Sequence, residues 1–206
     1  MLRKPQASLA LLALSLLCAS PVWAHGGDGG GKPVLSGAMH LLTSPLSLAA
    51  LIGLVVALAG LPERQSLVAG FCAAAASAVA AALPAFTAPL PPSIAPAAVV
   101  VIGLTSLLAL KPSTTGAVLL SLLAGMAAGH AADLDTPHWQ GIAGIAGVVL
   151  FTVLSALGGS EDLARLLTTK MLWLKKALPI ARRVVGSWLA AIGLLLCALA
   201  LNGKAI

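Results

Sequence analysis

Six apolar stretches, at residues 40–60, 66–83, 94–110, 114–130, 141–158 and 184–201, take up most of this chain. An apolar segment of about 20 residues is what crosses a bilayer as a helix, because a helix satisfies its backbone N–H and C=O groups internally. Proline and charge punctuate the junctions: Leu61-Pro62-Glu63-Arg64-Gln65, a proline-rich run at 84–96, Lys111-Pro112-Ser113, a polar loop at 131–140 and a long basic link at 159–183. Composition points the same way. Of 206 residues, 59% are hydrophobic and only 9% charged, against roughly 25% charged in a soluble domain. A water-soluble enzyme and a disordered chain are both excluded, and the expected fold is all-α: a polytopic membrane protein with a six-transmembrane-helix bundle.

Ahead of the bundle, Arg3 and Lys4 precede an apolar run at 9–17, and Val22-Trp23-Ala24 supplies tolerated residues where a signal peptidase reads. This three-part pattern predicts a signal peptide over 1–24, cleaved after Ala24. The mature chain then begins at His25, with a Gly-rich arm over 25–39 and the six-helix domain over 40–206. Gly26 to Lys32 reads GGDGGGK, which imitates a phosphate loop, but Pro33 stands where that loop needs Ser or Thr.

Secretion of the mature N-terminus places alternate loops inside, and positive charge tests that assignment. Arg64, Lys111, Arg165, Lys170, Lys175, Lys176, Arg182 and Arg183 fall on the cytoplasmic side, and only Lys32 and Lys204 outside. Such a bias follows the positive-inside rule, so the expected setting is a bacterial inner membrane with both mature termini periplasmic. The net charge of +6 is thereby explained by topology, and nucleic acid is excluded as a partner. Within the basic link, Leu163, Leu166, Leu167, Met171, Leu174 and Leu178 recur at near-helical spacing up to Pro179. They suit an amphipathic helix lying on anionic lipid, but Lys170 falls near the apolar side, and a basic connector with no partner beyond lipid is the favoured reading.

Small residues predict where helices meet. Gly141, Gly144 and Gly147 are three apart, and Gly125 and Gly129 four apart, spacings that let backbones approach closely in lipid. Trp139, Trp173 and Trp188 are expected as interfacial anchors.

The polar residues sort by side. His25, Asp28, His40, His130, Asp133, Asp135 and His138 all fall at the outer level of this topology. Met126, His130 and Asp133 follow i, i+4, i+7 spacing, which puts them on one helix face. Imidazole binds first-row transition metals, carboxylate adds charge and thioether adds softness. Met39 and His40 open the first span, and Pro45 removes the donor that would have bonded the carbonyl of Leu41, so that this freed carbonyl, with Thr43 and Ser44 beside it, is expected to form a polar notch beneath His40. His25 adds an α-amino group and an imidazole on one residue once the leader is cut. The candidate metal set is therefore His25, Asp28, His40, Met126, His130 and Asp133. No Ser-His-Asp, Cys-His or paired-carboxylate arrangement shares a depth, so the chain is not expected to be an enzyme.

The Ala-His-Gly at residues 24–26, Ser36-Gly37-Ala38-Met39-His40 and Gly129-His130-Ala131-Ala132-Asp133 resemble the HupE/UreJ family of hydrogenase- and urease-associated membrane proteins, regarded as nickel/cobalt permeases. His40 matches the first His of that family's His-Pro-Leu-x-Gly-x-Asp-His motif, with Leu46 and Ser47 where its Asp and second His belong. In the later motif, His-Gly-x-Ala-His-Gly-x-Glu, His130 matches the second His, Met126 replaces the first and Asp133 replaces Glu. The resemblance implies a permease with no permanently bound cofactor, its cargo a nickel or cobalt ion; the Met residues shift the set towards copper. Below the outer level only hydroxyls, including Ser47, Ser77, Thr105, Ser106, Ser121 and Ser155, offer oxygen along a path. The alternative is a membrane accessory or metal-binding subunit of a metalloenzyme-maturation system. Lipid, the metal ion, a second copy of the chain or maturation proteins are the partners expected.

Overall fold

Proline sets the first three helix starts. The computed structural model describes residues 33–59, 61–83, 91–132, 134, 138–170 and 172–202, and their side chains except at 33, 63, 157–176 and 178. Helix α1, Pro33–Thr43, and helix α2, Pro45–Leu58, each begin at a proline, which loses no intrahelical bond there and already has helical φ. Between them Ser44 is extended, at φ −78 and ψ 112, as a residue before proline prefers. Its side chain caps α2 by accepting from the Ser47 N–H at 3.3 Å. The two helices meet at 81°. Helix α3, Glu63–Ala82, follows Pro62, and α4 is Ile94–Leu107. Helix α5, Thr114–Ala131, is capped by Ser113, which accepts from the Gly116 N–H at 3.2 Å. Helices α6, Trp139–Lys170, and α7, Leu172–Leu201, are longer, at 32 and 30 residues. The basic link is thus helical in its described residues, as the end of α6 and the start of α7, and Pro179 lies inside a helix rather than ending one.

Among the described residues, four segments are long and apolar enough to cross a membrane: Arg64–Ala82, Thr114–Ala131, Trp139–Ala156 and Pro179–Leu201. The bent pair α1 and α2 makes a fifth when taken as one span. Every regular element among the described residues is helical, and the chain is an all-α, multi-pass membrane protein.

The third apolar stretch departs from expectation. Only 14 of its residues are in α4, about 21 Å at 1.5 Å per residue against a hydrocarbon core of about 30 Å. A C-terminal turn stops it: the Ala109 N–H donates to Ser106 O and the Leu110 N–H to Thr105 O, both at 3.1 Å, with Ala109 at φ 52. This is a Schellman turn, whose left-handed position glycine usually fills. An alanine Cβ in that conformation costs about 1 kcal/mol. Ala109→Gly is therefore expected to stabilise the protein by up to about 1 kcal/mol, seen as a higher thermal midpoint in detergent. A lower midpoint would show that the added chain freedom outweighs the relieved strain.

Close backbone contacts fix the helix directions. A Cβ on Gly125 would meet the backbone of Ala73, and one on Gly129 that of Ser77, so α3 and α5 run parallel. Helix α4, between them in sequence, returns the chain. It lies antiparallel to α7, with Gly103 against Gly186 and Ala190 and Val100 against Gly193. Helix α1 lies antiparallel to α6, with Gly37 on Gly141 and Gly144 on Val34 and Ala38. Helix α2 is central, touching α1, α4, α5, α6 and α7. Its Leu51, Leu54 and Leu58 form the core with Val99, Ile102, Ile145 and Val149. The outward faces carry Phe71, Val79, Leu119, Phe151, Val184 and Leu195, which suits lipid. Trp188 is 69% exposed but lies well inside the Pro179–Leu201 segment, not at its end as an interfacial anchor would.

Candidate metal site at the His40 end

The helix directions bring the α1–α2 break, the end of α5 and the start of α6 to one end of the bundle. His40 is half-buried in the last turn of α1. Its carbonyl accepts from the Ser44 N–H at 3.1 Å and from the Thr43 hydroxyl at 3.3 Å. Thr43 Oγ1 also donates to Met39 O at 2.8 Å. The hydroxyls expected to form a notch beneath His40 are thus engaged locally, Thr43 in closing the end of α1 and Ser44 in capping α2.

His130 is half-buried in the last turn of α5. One tertiary bond ties the two histidine-bearing ends: fully buried Ser47 donates its hydroxyl to Ala128 O at 2.9 Å. This fastens the first turn of α2, just past the break, to the residue two before His130. Met126 lies one turn earlier on α5 and is 36% exposed, in line with exposed Leu119 and Leu122. It therefore borders the outward face, whereas Gly125 and Gly129 face α3. His25, Asp28 and Asp133 lie outside the described residues. Among the described residues, no group of three or more His, Cys, Asp or Glu is placed to hold a metal ion.

The hydroxyls below this level divide by burial. Ser47, Ser77, Ser106 and Ser121 are fully buried, Thr105 is half-buried and Ser155 exposed. Most bond to backbone: Ser77 to Ala74 O at 2.8 Å, Ser121 to Ala117 O at 2.7 Å and Thr105 to Val101 O at 2.8 Å. Ser106 Oγ has no hydrogen-bond partner.

At the opposite end the structure gives a role to Arg182 that sequence reasoning missed, since the residue was read only as part of a basic link. Its Nη2 donates to Ala57 O at 3.0 Å and to Leu110 O at 2.8 Å. These carbonyls belong to the last turn of α2 and the turn after α4, where helix dipoles present negative charge. The signal available in sequence was an arginine two residues before the last apolar stretch, close enough to enter the bundle with it.

No family model matches the chain, and neither a curated protein nor a solved structure is significantly similar to it.

Proposed function

We propose that this protein is a transition-metal permease-like protein of a bacterial inner membrane, taking nickel or cobalt at its His40 end and similar in kind to the HupE/UreJ proteins. The observation that carries this reading is the Ser47–Ala128 bond. It links the break after His40 to the turn before His130, the two residues that match the family's histidines. In this reading the bundle crosses six times, with α4 as the short crossing, after removal of a signal peptide. His25, Asp28 and Asp133 complete the capture site from the periplasmic side, and Met126 supplies a soft ligand from the edge of α5.

A second reading is supported by the buried hydroxyls. Ser77 and Ser121 are bonded within their own helices and Ser47 to α5, so these buried hydroxyls are already engaged and are weak ligands for an ion moving inward from the outer site. A membrane accessory or metal-binding subunit of a metalloenzyme-maturation system, holding nickel, cobalt or copper without moving it, fits that arrangement.

The His40→Ala/His130→Ala double variant separates the readings. Removing ligands leaves an incomplete coordination shell, so metal bound by the purified protein should fall at least about tenfold. Cellular metal uptake should fall with it if the protein is a permease and stay at the level without the protein if it is an accessory subunit. Unchanged metal content in the double variant would remove the site from both readings.

A further inference from the structure

Three unusual features meet at the end of the bundle opposite His40. One guanidinium nitrogen of Arg182 holds both Ala57 O and Leu110 O. Two polar atoms, Arg182 Nε and Ser106 Oγ, are buried without a hydrogen-bond partner. Ala109, between Ser106 and Leu110, has a left-handed backbone at φ 52.

Helices α4 and α7 do not need Arg182 to stay together. Gly186, one turn further along α7, already packs on the backbone of Gly103, Ser106 and Leu107, and Gly193 packs on Val100 and Pro96. Helix α2 already packs on this pair at Gly53, against Ile102 and Leu189; what Arg182 adds is a polar tie one turn further on, at the last turn of α2. Beside that tie the closed arrangement leaves two polar groups unsatisfied, which buried polar atoms seldom tolerate, and holds a strained residue, a feature that clusters at switch regions. Water admitted there would satisfy both orphaned atoms.

We propose that Arg182 is a latch that closes this end of the bundle by fastening the last turn of α2 to the α4–α7 pair. When it releases, the last turn of α2 draws away from that pair, while Gly53 stays packed against Ile102 and Leu189, and water reaches Ser106. Its use as the gate opposite the His40 site rests on the permease reading. The latch itself is measured without metal, so the two can fail separately.

The test uses the full chain with Cys18, Cys72 and Cys197 replaced by alanine and Ser106→Cys as reporter, purified in detergent and treated with a water-soluble maleimide. The reporter should react slowly when Arg182 is present and about tenfold faster in Arg182→Gln, the factor expected when a charge-assisted hydrogen bond no longer favours the closed state. Arg182→Lys keeps the charge without the planar fork and should give an intermediate rate. A Ser77→Cys reporter, at a fully buried position near the His40 end, should stay protected in every variant. Equal rates at Ser106→Cys with and without Arg182 would overturn the latch. So would equal acceleration of both reporters, which marks general loosening, in Arg182→Gln and in the milder Arg182→Lys.

Discussion

Gly129→Val is expected to lower the thermal midpoint of the detergent-purified protein by about 10 °C and to leave much of it aggregated. A Cβ at Gly129 would overlap the backbone of Ser77, and one at Gly125 that of Ala73. The obstacle is backbone, so no rotamer change relieves it. Helices in lipid associate without a hydrophobic drive and depend on close van der Waals contact, so pushing α5 away from α3 removes the contact that holds them. Overpacking against an immobile neighbour costs about 3 kcal/mol, the upper part of the usual range. Gly147 is the contrast: a Cβ there meets nothing within 4 Å. Gly147→Ala should therefore be neutral or stabilise the helix by about 0.5–1 kcal/mol. Equal damage from both substitutions would contradict the packing account.

That contrast shows what the sequence made legible. Apolar length and proline placement located most of the helices, because both act locally, but α1 begins at Pro33, inside the stretch read as a Gly-rich arm. Gly125 and Gly129, four apart, stay within about 40° of one helix face, whereas residues three apart turn by about 60° each, so Gly147 ends about 120° from Gly141. Gly141 and Gly144 meet α1, and Gly147 has turned away. The same turning accounts for Met126, which borders the exposed line of Leu119 and Leu122. The end of α4 was illegible because alanine occupies the left-handed position where glycine would have signalled the stop. At the candidate site, His40 and His130 were expected at one level of the bundle, and each lies in the last turn of a helix that ends there. The bond that joins their helices could not be read in advance, since Ser47 and Ala128 are 81 residues apart and neither residue is distinctive. Arg182 was hidden for the same reason: its acceptors are carbonyls of Ala57 and Leu110, which any residue could supply.

If His40 holds metal as proposed, Gly37→Val is expected to reduce metal binding about as much as loss of His40, while disturbing the fold less than Gly129→Val. A Cβ on Gly37 would run into the backbone of Gly141, and the same interface holds Gly144 against Val34 and Ala38. Valine therefore forces α1 off α6. Helix α1 can swing without carrying α2 along, because the two meet at 81° through extended Ser44 and Ser47 separately fixes α2 to α5. The α2 core around Leu51 and Leu54 stays in place, and the main loss is the burial of Leu41. His40, in the last turn of α1, moves with its helix. Bound metal should fall at least about tenfold, as expected when a ligand is withdrawn, with a drop in thermal midpoint smaller than that of Gly129→Val. Full metal binding by a folded Gly37→Val protein would show that the placement of α1 does not matter to the site. Metal loss only in proportion to unfolded protein would show that α1 is integral to the bundle.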